Sequence, residues 1–204
     1  MRVFIKTDSK NRITAINSEI FISDFSGWVE IDSGDGDKFT HAQGNYLPKP
    51  LIAIDGYYRY KYENGKIVER SEDELKAEYN SKNLDLFKAT KISDSKFKLR
   101  EWLKSNPMQF TDGKFYSVTE EKQTLLNSNL ASYERATNAG IPYPLKWNST
   151  GDECVEWEYK DLLSLSLAIA AYVAPKVSIQ QSIEVAVKAA TTKDEIDAIT
   201  IDYN

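Results

Sequence analysis

One cysteine and one histidine stand among 204 residues. A single thiol, Cys154, excludes an intramolecular disulfide and any metal site made of cysteines alone. A single imidazole, His41, removes most zinc sites and the metalloprotease helix, and leaves Ser-His or Cys-His catalysis only if His41 itself takes part. No apolar run reaches about 18 residues, so no segment is expected to span a membrane. Met1-Arg2-Val3-Phe4 opens without a long apolar stretch and does not read as a secretory signal. P-loop, dinucleotide glycine fingerprint and Gly-x-Ser-x-Gly elbow are all missing. A basic surplus is missing too: the formal net charge is −5, with residues 1–70 neutral and the remainder carrying the whole deficit. Neither half offers a platform for phosphates, so no nucleic-acid partner is expected.

What is present is an ordinary globular composition, 41% hydrophobic and 28% charged. A chain of this length buries roughly 70% of its unfolded surface and needs no staple. The patterning predicts an α+β fold in three parts: a small antiparallel β-rich domain over 1–70, a helical connector over 71–98, and an α+β domain over 99–204. In the first part, residues 2–7, 12–16 and 27–32 alternate as strands do. Gly34-Asp35-Gly36-Asp37 reads as a loop, and Asn64-Gly65 between two strand-like runs is a hairpin signal. Ser71 with Glu74 forms a capping box at a helix start. In the third part, Asp112-Gly113 marks a second hairpin, and Thr119 opens a helix that stops at Gly140 before Pro142. Short strands are expected at 145–147 and 155–157. A long helical segment begins near Tyr159, with Pro175 expected to kink or break it. Thr192 to Glu195 caps a last short helix. Positions 162, 165, 169, 172, 176, 179, 183, 186 and 190 alternate steps of three and four and are apolar except Lys176. That seam either covers the small sheet of its own domain or pairs copies of the chain in a homo-oligomer.

Candidate chemistry is thin. Asp32, Asp35 and Asp37 beside glycines fail the EF-hand order, because Gly34, Gly36 and Asp37 fall where a ligand, a ligand and a glycine belong. His41 has no second histidine or thiol near it and reads as a hydrogen-bonded loop residue. Cys154 lies among acids that raise a thiol pKa, and a buried strand position is expected for it. Glu153, Glu156, Glu158 and Asp161 read as a solvated face. No catalytic, cofactor-binding or metal-binding residue is assigned, and no cofactor. The first part is instead rich in aromatics: Trp28, Tyr46, Tyr57, Tyr58, Tyr60 and Tyr62. Half of this set is expected in the core. The rest are candidate partner-contact residues, since Tyr and Trp offer large contact area at low entropy cost.

The run GWVEIDSGDGDKFTHAQGNYLPKPL at 27–51, followed by DGYYRYKYENGKIVERSEDEL at 55–75, resembles a small protein encoded next to tail-fibre genes in Firmicutes phages and prophages. The shared features are Gly27-Trp28 with Glu30-Ile31, His41-Ala42-Gln43 with Asn45-Tyr46, Pro48 and Pro50, Gly56 with Tyr58-Arg59-Tyr60, and Glu69-Arg70. The second half is similar to an uncharacterised domain of tail-fibre-associated phage proteins, at Asp112-Gly113, Thr119-Glu120-Glu121, Trp147, Gly151-Asp152, the 162–173 helix and Thr192 to Glu195. The resemblance implies a non-enzymatic component of a phage tail, or of a phage-tail-like bacteriocin, whose partner is a tail-fibre or baseplate protein. It implies assembly in the host cytoplasm, with or without a place in the finished particle. A tail-fibre assembly chaperone that binds the fibre tip is the alternative, and a carbohydrate-binding receptor module the third reading.

Overall fold

Val3, Ile5, Ile13 and Ile16 place their side chains on one face of a small sheet, and all four are buried with Ala42 and Tyr60. The structure, a computed structural model, describes residues 1–204 and divides into two units, Met1–Asn83 and Leu84–Asn204. In the first, β1 (Arg2–Thr7), β2 (Ile13–Ser18) and β3 (Val29–Ser33) form an antiparallel sheet in the order β2-β1-β3. Phe4 points to the other face, where Phe25 meets it edge-on at 5.0 Å. The Gly34–Asp37 loop is followed at once by two single-turn helices, α1 (Asp37–Thr40) and α2 (Ala42–Asn45). Turns this short show no periodicity in sequence. They are anchored by tertiary contacts: Phe39 packs so close under Gly34 that a Cβ there would sit 2.7 Å from its ring, and the Ala42 N–H donates to buried Ser18 Oγ at 2.9 Å. The predicted hairpin forms from β4 (Tyr60–Glu63) and β5 (Lys66–Glu69). Asn64 and Gly65 have φ of 51° and 74°, the two positive values a type I′ turn requires. α3 (Glu72–Lys82) starts on the full capping box of Ser71 and Glu74.

Residues 71–98 are shared between the units, with no separate connector. α3 belongs to the first unit, and α4 (Leu84–Ser105) is one helix of the second that runs past 98 and buries Ser95, Leu99 and Leu103. The rest of the second unit is β6 (Met108–Gln109), β7 (Phe115–Tyr116), α5 (Glu120–Asn138), β8 (Lys146–Trp147), β9 (Val155–Glu156), α6 (Tyr159–Ala189) and α7 (Lys193–Ala198). The fold is α+β, as expected, with each sheet small and antiparallel. α5 ends in a Schellman motif: Ile141 N–H donates to Ala136 O at 2.9 Å and Gly140 N–H to Thr137 O at 3.1 Å, with Gly140 at φ 69°.

α6 bears on three expectations. It is continuous through Pro175, although a helix-interior proline costs about 3 kcal/mol or more. Buried contacts on both sides, Val173 before it and Gln180 and Ile183 after it, hold the helix together. Its buried edge follows the expected seam at Leu162, Leu165, Ile169, Ile183 and Ala190, and lies one position on from it at Val173, Gln180 and Val187, as a 3.6-residue period departs from a 3.5-residue one. That edge packs mainly on α4 and α5, within a core that also holds Met108 of β6 and Tyr116 of β7. α6 is also long and apolar enough to cross a membrane by length and composition, which a search for unbroken apolar runs passes over. Cys154 is exposed; a two-residue strand starting at Val155 has no room to bury it.

Candidate partner-contact site

A second hairpin, not anticipated, precedes β4. Ile52 bridges Tyr58, Ala53 N–H donates to Tyr57 O at 2.8 Å, Arg59 N–H to Leu51 O at 2.8 Å, and Gly56 N–H to Ala53 O at 2.9 Å. Gly56 takes φ of 79°, the left-handed residue that closes a three-residue loop. At the tip, Ile54 is 99% exposed, and Ile52 is 53% exposed. Beside them runs a groove of about 390 Å³ lined by Ala53, Ile54, Leu75 and Tyr79 together with Asp55, Arg59, Glu72 and Lys76. Hairpin and α3 are tied together under it. Tyr57 meets Tyr79 edge-on at 6.3 Å, the Lys82 ammonium sits 4.5 Å over the Tyr57 ring, and Arg70 donates to Tyr58 O at 2.9 Å.

The far side of α3 is fixed by charge. Glu78 accepts from Arg12, from Arg70 (2.9 Å) and from Lys82 (3.0 Å), and its side chain is only 11% exposed. Burial alone would raise its carboxyl; hydrogen bonds from Arg12, Lys82 and Arg70 outweigh that and hold it down to about 2. A cavity of about 340 Å³ opens there among Lys10, Arg12, Lys61, Arg70 and Lys82 with three glutamates. Its arginine donors are already spent on Asp8, Glu78 and backbone carbonyls, so it reads as the clamp that sets α3 against the sheet.

Of the six aromatics predicted for contact, Tyr60 is 2% exposed and belongs to the core. Its hydroxyl closes onto the Lys49 backbone, accepting from N–H at 3.1 Å and donating to O at 3.3 Å. Tyr62 is half-buried against the same core. Tyr46 donates to Asp32 at 2.7 Å, and burial together with that carboxylate pushes its phenol upward. Trp28 lies under the Lys6 ammonium at 5.1 Å. Tyr57 and Tyr58 brace the second hairpin, and none of the six lines the groove. Of the residues that do, Leu75 and Tyr79 read in sequence only as a loose apolar stripe of α3, and Ile54 was not singled out. Its legible signal is Asp55-Gly56 between Leu51-Ile52-Ala53 and Tyr57-Tyr58, a turn pattern around an isoleucine.

The remaining candidates stay dispersed. His41 joins α1 to α2 and shares a 2.6 Å hydrogen bond with Asp37. Glu153, Glu156, Glu158 and Asp161 are exposed. No group of three or more His, Cys, Asp or Glu side chains converges as a metal site would. In the second unit a hollow of about 160 Å³ lies beside Trp147, below the several hundred Å³ usual for small-molecule pockets. No protein-family model matches the chain, and neither a curated protein nor a solved structure matches it.

Proposed function

We propose that this chain is a non-enzymatic component of a phage tail, or of a phage-tail-like bacteriocin, that acts at the tail fibre or baseplate by protein–protein contact through its first unit. The observation that carries the contact is Ile54: a large aliphatic side chain, 99% exposed, held at the tip of a hydrogen-bonded turn. Water gains nothing from this placement, and a rigid tip loses little entropy when it docks. An apolar anchor next to a groove that combines aliphatic, aromatic and charged side chains offers both the buried contact and the polar surround of a protein interface. The tail context rests on the resemblance of residues 27–51 and 55–75, two stretches that flank residues 52–54 at the hairpin tip.

Two measurements test the reading. Mass spectrometry of purified particles should find the chain in fixed stoichiometry with the fibre or baseplate. Its presence on fibres in the lysate but not in finished particles would move the reading to an assembly chaperone, and absence from both would end it. Ile54→Asp should weaken capture of the co-expressed fibre or baseplate protein by at least tenfold while leaving the fold intact.

A further inference from the structure

α6 carries a second, outward face that nothing in its own unit uses. The helix is apolar enough for a bilayer, yet only 22% of its most apolar 18-residue window is buried. Outward positions 164, 167, 171 and 174, then 175, 178, 182 and 185, are all exposed. At 100° per residue they fall within an arc of about 100°. Leu167 is 64% and Val185 67% exposed. They lie 18 residues apart on the chain, five full turns, and so point the same way. No outward position between Asp161 and Lys188 is charged, in a chain that is 28% charged. The two charges inside that span lie off the face: the Lys176 ammonium sits 4.8 Å over the Trp102 ring, and Glu184 is held by Lys96 and Lys188. Solvent-facing helices of globular proteins are normally charged there.

The spacing of this face is a mirror image of itself. Steps of three, four and three lead from 164 to 174, and the same steps lead backwards from 185 to 175. We propose that a second copy of the chain covers it, α6 against α6 and antiparallel, about a two-fold axis between Ala174 and Pro175. In that register Leu167 meets the partner's Ser182, Ser164 meets the partner's Val185, and Ala171 meets the partner's Ser178. Each bulky side chain faces a small one, so the backbones can approach without void or clash. Steps of three and four are those of a helix-pairing seam, and antiparallel packing opposes the two macrodipoles. A two-fold contact must be self-complementary, and a face without charge meets no like-charge penalty against itself. A parallel pair would instead stack Leu167 on Leu167 and Val185 on Val185 and align the dipoles. The footprint is about 30 Å by 10 Å on each copy, well below the roughly 800 Å² per partner of a standard interface, so the dimer is weak, reversible and populated only at high protein concentration.

Light scattering on the full chain across a concentration series tests this. The mass should rise from 23.2 kDa towards twice that value. Leu167→Glu combined with Val185→Glu should keep it at one chain with an unchanged circular dichroism spectrum. Geometry is tested by oxidation in a Cys154→Ser background. Ala174→Cys should form an interchain disulfide, because residue 174 of each copy lies beside the axis and within the roughly 6 Å Cα separation a disulfide spans. Leu167→Cys should not, because its two copies lie about 22 Å apart along the helix direction. A mass of one chain at every concentration overturns the proposal. So does cross-linking of Leu167→Cys as fast as Ala174→Cys, or a dimer that survives the double glutamate variant.

Discussion

Glu78 joins three cations in the first unit, Arg12, Arg70 and Lys82, at a carboxylate only 11% exposed. Its carboxyl is held at about 2 in the folded chain against an ordinary 4.5. A depressed folded-state value favours the folded state above the unfolded pKa and loses that advantage as pH falls. The contribution, on the order of 2–3 kcal/mol, is therefore complete above pH 4.5 and disappears between 4.5 and about 2. Glu78→Gln should cost about 3 kcal/mol at neutral pH, since it leaves Arg12 and Arg70 without their shared partner. It should also flatten the loss of stability between pH 4.5 and 2. Urea unfolding followed at pH 7, 4 and 3 measures both effects. Ile54 should behave in the opposite way. With 99% exposure, Ile54→Ser should change stability by no more than about 0.5 kcal/mol. A larger loss in a thermal melt would mean that the side chain is buried in solution.

At the scale of elements, Pro175 gives the sharpest prediction. It withholds one helical hydrogen bond, and its ring crowds the preceding turn. It is exposed, so no packing is lost when it is replaced. Pro175→Ala should stabilise the second unit by about 2 kcal/mol after allowing for the greater freedom of the unfolded chain. The melting temperature should rise by several degrees. A fall would show that the proline is required for the path of α6. What the sequence revealed at this scale follows a simple division. Local chemistry was legible: the Asn64-Gly65 turn, the capping boxes at Ser71 and Thr192, and the Gly140 stop each formed where their residues called for them. Features set by distant partners were not. α1 and α2 exist because Phe39 and Ala42 find Gly34 and Ser18. The edge of α6 leaves the three-four seam at Val173, Gln180 and Val187 because packed helices bury a 3.6-residue period. Which members of the aromatic set belong to the core was not legible for a related reason: tyrosine is equally at home in a core and on an interface, and only tertiary packing shows that Tyr60 closes onto Lys49.

The whole molecule has two cores of unequal size. In the first unit six buried hydrophobics, Val3, Ile5, Ile13, Ile16, Ala42 and Tyr60, form the cluster. In the second a larger cluster runs from Leu99 to Tyr203. The carboxyl end belongs to that second core. Tyr203 is 4% exposed, and its hydroxyl donates to Ser95 O at 2.8 Å. Gln180 Nε2 reaches Ser95 Oγ at 3.5 Å from the other side, so α4, α6 and the tail meet at one buried serine. Neither cluster includes a residue of the other unit, so residues 1–83 and 84–204 should each fold when expressed alone. Small domains bury a smaller fraction of their surface and are the more marginal. The first unit also draws on an ion cluster that acid removes. Calorimetry of the intact chain should therefore show two transitions, the lower one belonging to residues 1–83. Lowering the pH from 7 to 3 should move that transition down further than the upper one: below 4.5 the unfolded chain's Glu78 takes up a proton that the folded chain's, held at about 2, still refuses, and the second unit's own depressed carboxyl, Glu184, is less buried and better screened. Tyr203→Phe should lower only the upper transition, by the roughly 1 kcal/mol that a lost buried hydrogen bond costs. A single transition that shifts as a whole in both experiments would mean that the two cores unfold as one.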